Sequence, residues 1–254
     1  MKIGIIPARG GSKRIPRKNI MPFAGKPIIA WTIEAALESG LFDRLIVSTD
    51  DDEIAGVALE HGAEVPFRRP PELSDDHTGI IEVVQHAIGW SVENGDDIEY
   101  VCCMLATAPF LQAEALSQAL QQLSESDASY AFSVTAFPFP IQRAIRISPE
   151  NRVEAIWPEN IPRRSQDLEE AFHDAGQFYW GTRAAFERGG DTRDETIHEI
   201  GYVAPESGEM AGALKRVLVE VEASIDLDLN GVKVLGRTPI MLGDEAAGIG
   251  PVQL

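Results

Sequence analysis

Short apolar runs alternate with amphipathic stretches along much of this chain. "KIGIIPA" (residues 2–8) is an apolar run followed at once by two glycines, the pattern of a buried strand opening into a functional loop. Pro27 then opens "PIIAWTIEAALES", where Ile29, Ile33 and Leu37 fall on one helical face and Gly40 stops the helix. The unit repeats. "RLIVSTD" reads as a strand, Asp51 or Asp52 caps "DEIAGVALEH", and Gly62 ends it. A helix is predicted near 78–92 with Ile81, Val84 and Ile88 inward, then the strand "YVCCMLA", the helix "AEALSQALQQL" and the strand "YAFSVTAF". Strands alternating with helices predict an α/β fold, a mainly parallel sheet with helices on both faces.

The rhythm breaks at about 138–172, a stretch rich in proline and charge with only short strand-like pieces. It reads as an insertion outside the main sheet, placed to meet another subunit. Order resumes with "GQFYWGTRAAFE" and "HEIGYVAPE", and "LVEVEASIDLDL" alternates as a strand should. No internal repeat interrupts the pattern, so residues 1–254 are read as a single domain carrying that insertion.

Composition narrows the partners. The 254 residues are 44% hydrophobic and 24% charged, ordinary for a soluble globular protein. Forty acidic against 22 basic side chains leave a net charge of −18, a field that repels polyanions and makes nucleic acid a poor partner. Cys102 and Cys103 are adjacent among apolar neighbours, which suits strand residues rather than a disulfide framework or a zinc site. The apolar run at the N-terminus is too short for the core of a signal peptide, and no segment approaches ~20 uninterrupted apolar residues. The expected location is the cytoplasm, with no membrane partner.

Against that acidic background, "IIPARGGSKRIPRKN" (5–19) gathers Arg9, Lys13, Arg14, Arg17 and Lys18 around Gly10 and Gly11. Neither a P-loop nor the dinucleotide pattern G-x-G-x-x-G fits its spacing. A glycine loop at the carboxyl edge of a parallel strand still lets backbone N–H groups approach an anion, and Arg9, Lys13 and Lys18 can neutralise a polyphosphate.

"ARGGSKRIPRKN" resembles the signature of the CMP-sugar-acid synthetases, cytidylyltransferases that activate sialic-acid-like nine-carbon sugars. "FDRLIVSTDDDEIA" resembles the family's second strand and helix, "RRPPELSDDHT" its Arg-Pro-x-Glu-Leu segment, and "SIDLD" its Ile-Asp-x-Asp metal motif. The resemblance spans residues 1 to about 230 and implies a Rossmann-like core of the nucleotide-diphospho-sugar transferase type. It implies that Ala8, Arg9, Gly10, Gly11, Ser12, Lys13, Lys18, Asn19 and Thr78 contact the nucleotide, with Arg69 reading the cytosine and Arg9 and Lys18 acting in catalysis. "ATAPF" (106–110) falls where the family has a Pro-Thr-x-Pro turn, so only Thr107 carries over.

Asp226 and Asp228, at i and i+2 on one strand face, offer oxygen donors to a hard cation, and the resemblance makes them catalytic ligands of Mg²⁺. The segments "FPIQRAIRI" and "FHDAGQFYWG" resemble the pseudaminic acid branch of the family, which implies that Arg143, Gln177 and Tyr179 bind the sugar. The implied reaction joins CMP from CTP to a nonulosonic acid in a homodimeric enzyme. Sialic or legionaminic acid is the alternative sugar, and a non-catalytic nucleotide-binding regulator the alternative class. The segment 229–254 departs from the family, having few helix signals.

Overall fold

The structure, a computed structural model, describes residues 1–13 and 15–188. The strand expected around "SIDLD", Asp226 and Asp228 themselves, "HEIGYVAPE" and the tail 229–254 lie outside the described residues, as does Arg14.

The first apolar run forms β1 (Lys2–Pro7), and after a single 3₁₀ turn the hairpin β2 (Pro22–Phe23) and β3 (Lys26–Pro27) leads into α1 (Ile28–Glu38). β4 (Arg44–Ser48) and α2 (Asp52–Glu60) follow, then α3 (Ile80–Glu93), β5 (Tyr100–Met104), α4 (Ala113–Glu125) and β6 (Tyr130–Ala136). The insertion contributes a separate two-stranded ladder, β7 (Ile145–Ile147) with β8 (Val153–Ala155), among 3₁₀ turns. The long strand β9 (Phe172–Thr182) and α5 (Arg183–Arg188) return to the main sheet.

Local signals account for the helix ends. Asp51 is the cap of α2, its carboxylate accepting from the N–H groups of Glu53 and Ile54, and Gly40 and Gly62 leave their helices at φ +63° and +92°. Leu37 departs from the expectation for α1. It is 46% exposed, while Ile29, Ile33 and Ala36 carry the buried face, because the face rotates toward the sheet and leaves Leu37 lying over Gly62.

Among the described residues the main sheet runs β4-β1-β5-β9-β6. β1 pairs in parallel with both β4 and β5, whereas β9 runs antiparallel between β5 and β6, so the sheet is mainly parallel rather than wholly so. Chain order sends α1 to one side of β1 and α3 to the other. A cavity opens at the carboxyl end of β1, beside Pro7 and Arg9, where ligands bind in open α/β sheets.

Alternation assigns each strand residue to one of two cores. Ile6, Cys102, Met104, Phe178 and Trp180 pack under α1, α2 and α4, whereas Ile3, Ile5, Val101 and Cys103 pack with Val84 and Ile88 of α3 and Phe186 of α5. Both cysteines are free and buried, and burial pushes the Cys103 thiol up to about 12, which leaves it an inert core group. No helix among the described residues is long and apolar enough to cross a membrane.

Candidate active site

The loop after β1 is held in shape from below. Ala8 is buried in the core and does not line the cavity; its N–H extends the β1–β4 ladder by donating to Ser48 O at 2.9 Å. Asn19 is buried beneath the loop, and its Nδ2 donates to Arg9 O at 2.9 Å. The Gly10 N–H donates to Asp50 Oδ1 at 2.9 Å. Arg17 adopts a left-handed conformation, φ 55°, unfavourable for a non-glycine residue, and its guanidinium is paired with both Asp51 and Glu53. The turn that carries Lys18 and Asn19 is thereby tied to the start of α2.

Arg69 forms the opposite wall. It is 4% exposed, and its backbone N–H donates to Thr49 O while Nη2 donates to Ser48 O at 3.1 Å. Its Nε has no hydrogen-bond partner, and among the described residues no carboxylate lies within ion-pair distance. Burial lowers its pKa, with Asp50 acting against that shift and Arg9 adding to it. Arg69 therefore brings a largely desolvated guanidinium, with Nε unpartnered, to the wall of the cavity.

The third wall is the turn "SDDHT". The Asp75 carboxylate accepts from His77 N at 2.9 Å, Thr78 N at 2.7 Å and Thr78 Oγ1 at 2.7 Å, bonds that hold its pKa down at about 2. Asp76 pairs with Arg9 Nη2 at 2.9 Å and with Lys13 Nζ, while Arg9 Nη1 donates to Asp75 O. Together these walls enclose an open cavity of about 250 Å³, lined by Arg9, Ser12, Lys18, Asn19, Arg69 and Thr78 with both aspartates.

Residues 3–173 match the family model described as cytidylyltransferase. The chain belongs to the cytidylyltransferase family. It is 48% identical over 182 residues to the pseudaminic acid cytidylyltransferase of Campylobacter jejuni subsp. jejuni, which covers 72% of this chain and 78% of that protein. It is 38% identical over 206 residues to N-acylneuraminate cytidylyltransferase B of Danio rerio, covering 80% of this chain and 45% of that one. A solved CMP:2-keto-3-deoxy-manno-octonic acid synthetase complexed with CTP superposes with a TM-score of 0.59 over 87% of this chain and 99% of its own, at 18% identity, a likeness of fold.

In this cytidylyltransferase the cavity unites most of the residues singled out for the nucleotide: Arg9, Ser12, Lys18, Asn19, Arg69 and Thr78. Lys13 sits at the mouth, its side chain 82% exposed, and Gly11 is exposed with no atom near the position a Cβ would take.

The residues singled out for the sugar do not line that cavity. Thr107 lies in the turn after β5, fixed by the buried Thr32, whose Oγ1 donates to Leu105 O at 3.0 Å. Gln177 O accepts from Leu105 N at 2.9 Å, which joins the same turn to β9. Tyr179 is half-buried, and its hydroxyl donates to Asp174 at 2.6 Å; desolvation first and that carboxylate second raise its pKa. These three share the carboxyl edge of β5. Arg143 belongs to the insertion, where Nη1 donates to Ser165 Oγ at 3.1 Å and the guanidinium lies 5.8 Å from the Phe139 ring. His173 is part of β9, with Nδ1 2.9 Å from Asp174 O.

Sequence reasoning overlooked four aspartates, Asp50, Asp51, Asp75 and Asp76, as partners of the basic loop, crediting only Asp51 or Asp52 with a helix cap. The signal was present as an Asp triplet in "STDDD" and an Asp doublet in "SDDHT", each close behind a stretch of the site.

Proposed function

We propose that this protein transfers CMP from CTP to the anomeric hydroxyl of a nonulosonic acid, pseudaminic acid, giving the CMP-sugar and pyrophosphate. The observation that carries the reading is the convergence of the basic glycine loop and the buried, under-bonded Arg69 on one cavity at the carboxyl edge of the sheet. The 48% identity to a pseudaminic acid cytidylyltransferase supports the choice of sugar.

Chemically, the anomeric oxygen attacks the α-phosphorus, the bond to the bridging oxygen of the β-phosphate breaks with its electron pair leaving on pyrophosphate, and the hydroxyl proton passes to solvent. Such a displacement asks the protein for positioning and charge neutralisation rather than a nucleophile of its own. Arg69 holds the base at the buried end. Asn19 and the Gly10–Asp50 bond fix the loop so that Arg9, Ser12 and Lys18 meet the phosphates, and Thr107, Gln177, Tyr179 and Arg143 receive the sugar.

A divalent cation fits the charge of this cavity. The single charge of Asp76 offsets part of that of Arg9 and Lys13, so the protein's own positive charge falls short of a triphosphate's. Asp226 and Asp228 are proposed to hold Mg²⁺ through hard carboxylate oxygens, and the ion supplies positive charge to the phosphate oxygens.

The reading extends to a cytoplasmic homodimer. The ladder β7–β8 presents Ile145, Ile147 and Val153 to solvent, which supports its use as an interface between copies. The deciding experiment is pyrophosphate release from CTP and Mg²⁺ with a panel of nonulosonic acids. Release with pseudaminic acid is expected. Release only with sialic or legionaminic acid moves the substrate, and none with any sugar, from folded protein that binds CTP, leaves a regulator.

A further inference from the structure

The cavity cations are unequally satisfied. Arg9 and Lys13 are both engaged by the Asp76 carboxylate, whereas neither Lys18 nor Arg69 has a carboxylate within ion-pair distance among the described residues. An anion of the protein's own thus engages two of these cations and leaves the other two open.

Asp76 is placed there by construction. The preceding carboxylate, Asp75, gathers three hydrogen bonds from His77 and Thr78, and Glu72 O lies 3.1 Å from the same Thr78 Oγ1, sharing its one proton. Ser74 Oγ closes the turn from the other side by donating to Pro70 O at 3.0 Å. Arg9 reaches the same turn twice, at Asp75 O and at the Asp76 carboxylate. A turn this fully bonded holds Asp76 toward the cations rather than toward bulk water.

The engaged and the open cations also differ in depth. Arg69 is buried, which suits a base, while Lys13 stands at the mouth, where the several charges of a phosphate tail keep part of their hydration. Accepting the nucleotide reading above, a ligand that engages only the deep end leaves the Asp76 contacts intact. A ligand with a β-phosphate must take Arg9 and Lys13 from Asp76.

We infer that Asp76 is an internal competitor for the pyrophosphate moiety: it holds the Arg9–Lys13 end of the cradle, yields it to the tail of CTP, and returns as pyrophosphate leaves. It is a specificity-determining residue, acting against ligands with a β-phosphate and indifferent to a nucleoside monophosphate. Removing its charge makes the site hold pyrophosphate too well.

The test is calorimetric titration of the full-length protein with pyrophosphate, CTP and CMP, comparing wild type with Asp76→Asn and Arg9→Ala. Asp76→Asn is expected to bind pyrophosphate and CTP about threefold to tenfold more tightly, the scale of two partly exposed ion pairs, with CMP unchanged. Pyrophosphate should become a correspondingly stronger product inhibitor. Equal tightening of all three ligands would reduce the effect to general electrostatics and overturn the inference, as would unchanged or weaker binding of pyrophosphate. Asp76→Ser, read the same way, serves if the amide disturbs the turn. Arg9→Ala separates the two levels of the argument: weaker CTP binding upholds the nucleotide site whatever Asp76 does, and unchanged CTP binding removes the site itself.

Discussion

A Cβ placed on Gly10 would lie 2.7 Å from Oδ2 of Asp51 and 2.9 Å from its Cβ, so the loop after β1 and the cap of α2 touch with no room for a side chain. Asp51 has nowhere to retreat, since its carboxylate is held by Arg17 and by two N–H groups of the helix. Gly10→Ala is therefore expected to cost about 1–3 kcal/mol in chemical denaturation, as overpacking does. It should also raise the KM for CTP about tenfold, because the displaced loop carries Arg9 and Ser12. Normal stability with normal KM would show that the contact is soft.

Asp51 also predicts a pH dependence. Arg17 first, then the Ile54 and Glu53 N–H groups, lower its pKa to about 2, below the value of an unfolded aspartate. The unfolded chain therefore takes up this proton before the folded one does. The contribution is complete above about pH 4 and disappears as pH falls through 2. Asp51→Ala should lose about 1–2 kcal/mol at pH 7, the scale of a helix cap with a partly screened ion pair. The gap from wild type should close in denaturation curves recorded toward pH 2.

Arg69 separates binding from stability. Its side chain is desolvated with Nε unpartnered, so Arg69→Met removes an incompletely compensated buried charge at similar volume. The melting temperature should hold or rise, while CTP affinity falls on the order of 100-fold. Arg69→Lys should rescue little, since a single ammonium lacks the planar fork. A loss of stability equal to the loss of binding would make Arg69 a structural residue.

Thr32 tests the link to the sugar side. It is buried on α1, and its hydroxyl bonds Leu105 O at 3.0 Å and Ala108 O at 3.4 Å, pinning the turn that contains Thr107. Thr32→Val keeps the shape and strips the bond, which should cost about 1–3 kcal/mol for the Leu105 carbonyl left unsatisfied, Ala108 O still accepting from Leu111 N. The KM for the sugar should rise severalfold with the KM for CTP unchanged; equal rises in both would place Thr107 away from the sugar.

The proposed metal site makes a separate demand. Replacing Asp226 and Asp228 by alanine together should abolish pyrophosphate release while leaving the circular dichroism spectrum intact, and chelation of Mg²⁺ should reproduce that loss in the wild type. Turnover surviving either treatment would remove the metal assignment.

Periodicity was sufficient for the alternating elements, for both cores and for the helix stops at Gly40 and Gly62, because burial on one face and left-handed turn geometry leave local marks. The basic loop was equally legible, since its charge stands out against an acidic chain. Leu37 was misread because apolar spacing does not report how far a helix rotates against its sheet. The direction of β9 was not legible either, for an apolar strand reads alike in both senses until its neighbours are known. Above all, the pairing of Asp50, Asp51 and Asp76 with Gly10, Arg17, Arg9 and Lys13 joins segments some 35–65 residues apart, and no local pattern encodes it. The residue types that meet an anion belong to the sequence alone. Which of those cations are already answered by carboxylates, and which wait for a ligand, was decided by the sheet that brings β1, β4 and the "SDDHT" turn to one edge, because ion pairing depends on distance in space and not along the chain.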